Sequence, residues 1–240
     1  MKIIISPAKT MIDTTDDFIG ENYPVFIKEA NHLLEILKLY DQNKLSKLLK
    51  ANDNIVSLNY LRYQNSNIYK ANNMAIMSYY GIQYQHLGAK SLDQESLEFL
   101  NKHLIILSAL YGIVRPNDKI IEYRLEMQHK LDDLSLYKYW SNNINDYFKD
   151  ELILDLASNE YSKVLNKTNI ITVKFLVNDK GKLKTKATLA KMARGAFVRY
   201  IAINKITNID ELKNFNDFNF KYDIIKSADN CLVYIKEGEN

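Results

Sequence analysis

The fold prediction depends on the stretch Leu104-Ile105-Ile106-Leu107-Ser108, a continuous apolar run that ends on a serine. A strand without a polar face belongs inside a sheet that is covered on both sides, as parallel strands usually are. The same strand-like character recurs at 2–5, 152–156 and 170–177. The sequence therefore predicts a sheet whose central strands are buried.

Segments with helical periodicity lie between these predicted strands. Apolar side chains recur every three or four residues over 24–40, and Pro24 suits a helix start. Further helices are predicted over 43–50, 54–63, 136–149 and 188–205, and a closing hairpin over 220–225 and 231–236. Because strands alternate with helices, we predict an α/β fold. It forms a single domain, residues 1–240, with a mixed central sheet flanked by helices.

The composition is that of an ordinary folded protein, with 47% hydrophobic and 25% charged residues. No apolar run approaches the roughly 20 residues of a membrane span, and Ser6-Pro7 interrupts the apolar start of the chain. The single cysteine, Cys231, cannot form an intrachain disulfide and is expected in a buried strand. We therefore predict a cytoplasmic protein without membrane association.

No cofactor or metal is predicted. The four histidines are scattered along the chain, and no His or Cys spacing fits a metal site. A protein partner is not predicted either.

A strongly basic segment stands out against a mild net charge of +3. Residues 180–205 contain eight basic residues and no acidic one, whereas the rest of the chain has 24 basic and 29 acidic residues. Such an asymmetry is typical of a surface that attracts a polyanion. A solvated lysine-rich helix is the alternative.

The helix predicted over 188–205 has an outer face that is wholly cationic, on which Lys191, Arg194 and Arg199 fall. Gly195 lies in the middle of that face. A glycine inside a helix costs about 1 kcal/mol relative to alanine, so it indicates close approach by a ligand or by another backbone. Just before the helix, one face of a strand would carry three further lysines, Lys182, Lys184 and Lys186.

Two other segments carry candidate chemistry. The loop Ser6-Pro7-Ala8-Lys9-Thr10 follows a strand and could hold a phosphate through Lys9, although it lacks the glycines of a P-loop. In Glu122-Tyr123-Arg124-Leu125-Glu126-Met127, a strand would place Glu122, Arg124 and Glu126 on one face. Arg124 then either pairs with its neighbours or contacts an anion, while Glu126 acts as acid or base.

Two serines, Ser108 and Ser158, each stand at the end of a predicted strand. Neither has the Gly-x-Ser-x-Gly pattern of a nucleophile elbow, and no histidine is placed to complete a triad. Over 43–63 the pattern predicts two short helices around the turn 51–54. This turn has no glycine, which favours a helical hairpin packed on the core over a phosphate-binding helix-hairpin-helix element.

Together these segments resemble the peroxide stress resistance protein YaaA family. The resemblance is carried by six stretches, in order along nearly the whole chain: Ile4-Ile5-Ser6-Pro7-Ala8-Lys9-Thr10, Leu107-Ser108-Ala109-Leu110-Tyr111-Gly112-Ile113-Val114-Arg115-Pro116, Tyr123-Arg124-Leu125-Glu126-Met127, Tyr139-Trp140, Leu156-Ala157-Ser158-Asn159-Glu160-Tyr161 and Ala190-Lys191-Met192-Ala193-Arg194-Gly195. The residues 216–222 diverge from the family pattern.

The resemblance implies a cytoplasmic protein that protects against hydrogen peroxide by limiting free iron and damage to DNA. It also implies a DNA-binding α/β fold with a positively charged cleft and a helix-hairpin-helix-like element, here residues 43–63. The cleft lining would draw on Lys9, Arg124, Lys191 and Arg194.

Two functions follow from these expectations. In the first, the chain binds DNA or another nucleic acid without sequence preference, through phosphate contacts. The predicted anion-binding residues are Lys9, Arg124, Lys182, Lys184, Lys186, Lys191, Arg194 and Arg199. In the second, the same cleft belongs to an enzyme that acts on a nucleotide or nucleobase, with Glu126, Ser108, Tyr111 and Ser158 as catalytic candidates. Direct iron handling ranks last because no ligand cluster is visible.

Overall fold

The apolar run at 104–108 forms a fully buried strand beside the first strand of the chain. In the computed structural model, which describes residues 1–166 and 169–238, both belong to an eight-stranded sheet. The strands of that sheet are β1 (Lys2–Ile5), β2 (Leu104–Ser108), β3 (Gly112–Val114), β4 (Ile153–Asp155), β5 (Ile170–Asp179), β6 (Lys182–Lys184), β7 (Lys221–Tyr222) and β8 (Cys231–Glu237). Short two-stranded pairings join Thr10–Met11 to Tyr79–Tyr80, Asn73–Met74 to Lys119–Ile120 and Lys130–Leu131 to Leu134–Ser135.

The sheet is mixed, with the order β7-β8-β5-β4-β1-β2-β3 and with β6 also paired to β5. Its five central strands run parallel, and β3, β6 and β7 are antiparallel to their neighbours. The parallel neighbours β4, β1 and β2 end at the same edge of the sheet. The loops that follow Ile5, Asp155 and Ser108 therefore begin side by side, which the sequence had left open.

Helices flank the sheet, so the predicted α/β fold with a mixed central sheet is confirmed. The α-helices are α1 (Ile27–Lys38), α2 (Gln42–Leu49), α3 (Asp53–Asn65), α4 (Ala75–Ser78), α5 (Ile82–Leu87), α6 (Gln94–His103), α7 (Leu136–Tyr147), α8 (Asn159–Ser162), α9 (Ala187–Asn204) and α10 (Ile209–Leu212). Single 3₁₀ turns lie at Ile68–Lys70, Ala89–Ser91 and Asp217–Asn219. The predicted domain 1–240 also includes residues 167, 168, 239 and 240, which lie outside the described residues. No helix of the part described is long and apolar enough for a membrane crossing.

The helical hairpin predicted over 43–63 is present as α2 and α3, and it packs on the core through Leu45, Leu49 and Val56. At its far end, the hydroxyl of Tyr63 donates a hydrogen bond to the carbonyl oxygen of Arg124 and accepts one from the same residue's N–H at 3.3 Å. The hairpin therefore supports the loop that carries Arg124. A role as a DNA-binding helix-hairpin-helix element stays a prediction.

The wholly cationic face predicted for the helix over 188–205 is wrong, because α5 covers the middle of that face. A Cβ atom on Gly195 would lie 2.0 Å from the carbonyl oxygen of Gln83 in α5, so the glycine permits close contact between two backbones. The guanidinium of Arg199 donates to the carbonyl oxygens of Leu87 and Gly88 at 3.1 and 3.0 Å. These contacts hold the carboxyl end of α5 against α9.

The strand considered for residues 122–127 is also absent, because residues 121–126 form a loop that is not paired with any strand. Glu122 does not share a face with Arg124 and Glu126 but forms an ion pair with Arg62 of α3. Cys231 begins β8, as a strand residue should, but it is half-buried. The prediction of a buried cysteine is therefore wrong.

Candidate functional site

A cavity of about 500 Å³ opens where β1 and β4 end. It is lined by residues 6–10 after β1, residues 80–84 at the start of α5, residues 123–126, residues 158, 160 and 161 after β4, and Lys191 and Arg194 of α9. Ligand sites of α/β proteins form outside the carboxyl ends of strands, where this cavity lies. It is therefore the candidate site.

Four of the eight predicted anion-binding residues line this cavity: Lys9, Arg124, Lys191 and Arg194. They come from three segments far apart in the sequence, and the fold brings them together. Two glutamates line the same cavity. The site is therefore of mixed charge and is not a purely basic cleft.

The other four predicted residues, Lys182, Lys184, Lys186 and Arg199, do not line the cavity. Lys184 forms an ion pair with Asp179 at 3.2 Å, and Lys182 and Lys186 are exposed. A second hollow of about 620 Å³ lies beside β6, β7 and β8, and it is lined by Leu183 but by none of the predicted site residues.

Arg194 is the most unusual cation of the site because it is half-buried, with its Nε atom fully buried, and has no counter-charge in contact. None of the ion pairs found among the described residues includes Arg194, and its Nε atom has no hydrogen-bond partner there. Burial lowers the pKa of Arg194, and the more distant charge of Asp155 opposes that shift. An isolated buried charge is costly, so this group is suited to receive an anion.

Glu126 is held in its ionised form. Its Oε2 atom accepts from Lys9 Nζ at 2.8 Å and from Gln128 Nε2 at 3.3 Å, and its Oε1 atom lies 3.9 Å from Arg124. Burial by itself would raise the pKa of Glu126, but the hydrogen bond and charge of Lys9 lower it below the usual value. His129, whose Nδ1 accepts from the Glu126 N–H, has its pKa lowered by burial.

Glu160 is the second carboxylate of the cavity, and no role was predicted for it from the sequence. Burial raises the pKa of Glu160, and the charge of Glu126 raises it further. Two neighbouring carboxylates whose pKa values move in opposite directions are typical of acid and base partners. The signal for Glu160 was its position in the short segment that follows β4, close to the candidate Ser158.

Two serines join the neighbouring strand ends. The N–H of Ser158 donates to Ser6 Oγ at 2.8 Å, and Ser6 Oγ donates to Ser158 Oγ at 3.2 Å. Tyr84, another residue that the sequence did not single out, donates its hydroxyl to the Ser6 carbonyl oxygen at 3.0 Å. Ser158, a predicted candidate, therefore lies in the cavity with its own hydroxyl hydrogen available.

The candidates Ser108 and Tyr111 lie beneath the cavity and do not line it. Ser108 Oγ is 2.6 Å from the hydroxyl of Tyr123 and accepts from the Tyr111 N–H at 2.9 Å. The Tyr123 hydroxyl is also 2.8 Å from that of Tyr79. Burial raises the pKa of Tyr123 to about 12, so this chain of hydroxyls stays neutral and supports the cavity floor.

The replacement Tyr123→Phe should lower the free energy of unfolding by about 2 kcal/mol, because the buried hydroxyls of Tyr79 and Ser108 lose a partner. Urea denaturation measures the difference. Tyr80→Phe is the control, since Tyr80 is an exposed tyrosine of the same cavity and should change stability by less than about 0.5 kcal/mol. Equal effects of the two changes would contradict a supporting role for the hydroxyl chain.

No metal centre is apparent in residues 1–166 and 169–238, where no three His, Cys, Asp or Glu side chains are grouped to hold an ion. The polar side chains that line the cavity carry guanidinium, ammonium, carboxylate, amide and hydroxyl groups.

Comparison with known proteins connects this chain to one family. The family model described as Peroxide stress protein YaaA matches residues 1–225. A UPF0246 protein of Ligilactobacillus salivarius is 42% identical over 246 residues, covering 98% of this chain and 100% of the relative. UPF0246 proteins of Lachnoclostridium phytofermentans and Pediococcus pentosaceus are 37% and 38% identical, with at least 98% of both chains covered in each case. The resemblance drawn from the six sequence stretches is thus confirmed, and the chain belongs to the peroxide stress protein YaaA family.

Proposed function

We propose that the cavity binds a small anionic ligand of nucleotide size, and that this binding is the chain's contribution to peroxide resistance. The limitation of iron-linked oxidative damage, which the family resemblance implies, is part of the same proposal. The two glutamates give the site the groups for acid–base chemistry on a nucleotide or nucleobase, so an enzymatic step belongs to the proposal as well.

The observation that carries this proposal is the half-buried guanidinium of Arg194, whose Nε atom is fully buried without a hydrogen-bond partner among the described residues. A charge that is partly withdrawn from water needs a partner of opposite sign, and Asp155 is too distant to form an ion pair with it. Arg194 lines the cavity together with Lys191, one turn earlier on α9, and with the hydroxyl of Ser158. Guanidinium, ammonium and hydroxyl groups are the donors that bind phosphate oxygens.

The size and walls of the cavity favour a single nucleotide over a duplex. Its volume of about 500 Å³ lies within the range of about 300–1,000 Å³ that small-molecule sites occupy. The rings of Tyr80, Tyr84, Tyr123 and Tyr161 form apolar wall next to the polar groups. Such rings suit the flat face of a nucleobase.

Titration calorimetry with the four ribonucleoside 5′-monophosphates and their unphosphorylated nucleosides tests the proposal. We expect at least one nucleotide to bind, and its nucleoside to bind at least about tenfold more weakly, because the charge-assisted contacts to phosphate are lost. Affinity should also fall as salt is raised. Equal affinities of nucleotide and nucleoside, or no binding of any of them, would contradict the proposal.

Binding of nucleic acid is a second candidate, which the exposed cations outside the cavity favour. The side chain of Lys9 is 60% exposed at the rim, and Lys182 and Lys186 are exposed before α9. These groups can contact the backbone of a strand without base reading. One nucleotide of that strand could then enter the cavity, as in proteins that flip a base out of its stack.

Fluorescence anisotropy with a labelled single strand and a labelled duplex tests this candidate. The double change Lys182→Ala and Lys186→Ala should weaken binding and reduce the slope of log affinity against log salt by about 1 to 2. The same change should leave mononucleotide affinity unaltered, because neither lysine lines the cavity. An unchanged affinity and slope for both probes would rule this surface out.

A further inference from the structure

Besides its cations, the cavity has one unpaired acceptor. Among the described residues, three buried atoms of its charged side chains have no hydrogen-bond partner: Nε of Arg124, Nε of Arg194 and Oε1 of Glu160. A guanidinium nitrogen can only donate, whereas an ionised carboxylate oxygen can only accept. A ligand that satisfies all three atoms must therefore carry acceptors and also a donor.

We propose that Glu160 Oε1 accepts a hydrogen bond from an N–H group of the base, so that the site selects nucleotides that carry such a donor. This inference rests on the proposed function, since it assumes that a nucleotide occupies the cavity. It assigns Glu160 a role in specificity that neither the sequence analysis nor the family resemblance gave it.

The choice of Glu160 over Glu126 follows from their contacts. Both oxygens of Glu126 face cations, with Lys9 at 2.8 Å and Arg124 at 3.9 Å, so that carboxylate is already neutralised. Glu160 has no ion pair among the described residues. Burial and the charge of Glu126 raise the pKa of Glu160, and the nearby N–H groups of Gln128 and Met127 offset that rise only in part. The Oε1 atom has no hydrogen-bond partner among the described residues. An N–H of the ligand supplies the missing one.

The donor should be a neutral base N–H and not an ammonium group. Lys9, Arg124, Lys191 and Arg194 already surround the cavity, and a further cation would be repelled by them. Tyr161, the residue after Glu160, also lines the cavity, so a flat ring can pack there while its edge reaches the carboxylate. A nucleobase combines a neutral N–H with such a ring.

A cycle that combines N-methylation of the ligand with a change at Glu160 tests this inference. The probes are uridine, guanosine, adenosine and cytidine 5′-monophosphates and their blocked analogues, the monophosphates of 3-methyluridine, 1,N2,N2-trimethylguanosine, N6,N6-dimethyladenosine and N4,N4-dimethylcytidine. For the nucleotide that binds wild type most tightly, we expect blocking of the donor to weaken binding about tenfold or more. In Glu160→Met, whose side chain has no carboxylate, blocking should change affinity less than about threefold.

Two further variants keep the outcome interpretable. Glu160→Gln preserves the size of the side chain if methionine impairs folding, and it should also reduce the effect of methylation because the acceptor loses its charge. Glu211→Gln, at an exposed glutamate, should behave as wild type. An equal effect of methylation in wild type and in both Glu160 variants would overturn the inference while leaving nucleotide binding intact. Failure of every nucleotide to bind wild type would overturn the proposed function as well.

Discussion

Replacement of Arg194 by methionine should weaken nucleotide binding by more than about 100-fold and should also stabilise the ligand-free protein. The loss of affinity is expected because truncation of a buried, hydrogen-bonded charge typically costs about 2–5 kcal/mol of binding free energy. The gain in stability, about 1 kcal/mol, is expected because methionine removes a half-buried charge that has no ion-pair partner among the described residues. A residue that binds at the expense of stability is characteristic of a functional site.

Calorimetry and urea denaturation of the same samples measure both effects. Lys191→Met is the matched control, because Lys191 lies one turn away on α9 at the same cavity but is exposed. It should lower nucleotide affinity by less than about tenfold and change the free energy of unfolding by less than about 0.5 kcal/mol. If Arg194→Met destabilises the protein and retains nucleotide affinity, the guanidinium has a structural role and the proposed site is wrong.

The replacement Gly195→Ala should destabilise the protein by about 3 kcal/mol, the upper part of the range for overpacked sites. The added Cβ would lie 2.0 Å from the carbonyl oxygen of Gln83 and 2.9 Å from the nitrogen of Leu87, and backbone atoms cannot rotate away. The usual gain of up to about 1 kcal/mol from alanine in a helix is too small to offset this clash. Because Gln83 lines the cavity, displacement of α5 should also weaken nucleotide binding.

Gly81→Ala is the control for this change, since Gly81 stands at the other end of the same segment. Its added Cβ would meet only Ala8 Cβ at 3.4 Å, and its backbone is extended, so stability should change by less than about 1 kcal/mol. Thermal or urea unfolding measures both variants. A Gly195→Ala protein as stable as wild type would show that α5 and α9 can separate freely.

Local patterns were sufficient to predict the central strands of the sheet and most of the long helices, although the helix Gln94–His103 and the strand Gly112–Val114 were not predicted. The strand Leu104–Ser108 is recognisable as a short continuous apolar run, and the helix Ala187–Asn204 is long enough to show a helical period. The helix Ile82–Leu87 was missed because its six residues between two glycines are too few to show one. This short helix nevertheless forms a wall of the cavity and covers α9.

The residues that line the cavity were predicted in part, since charge is visible in a sequence but burial of that charge is not. Lys191 and Arg194 were found through the basic segment, yet the same segment suggested Arg199, whose guanidinium is engaged by the end of α5. Glu160 was missed because its meaning depends on Glu126, a neighbour only in three dimensions. Packing between distant segments decides which cations can contact a ligand and which contact carbonyl oxygens of the protein.

The hydrogen bonds between Ser6 and Ser158 have a consequence for the kinetics of recognition. The two residues follow adjacent parallel strands, so their separation is set by the constant spacing of neighbouring strands, about 4.8 Å. A binding surface anchored in this way is rigid before the ligand binds, so little conformational entropy is lost on binding. Association should accordingly follow single-step kinetics without a slow isomerisation. Differences in affinity among ligands should appear mainly in their residence times.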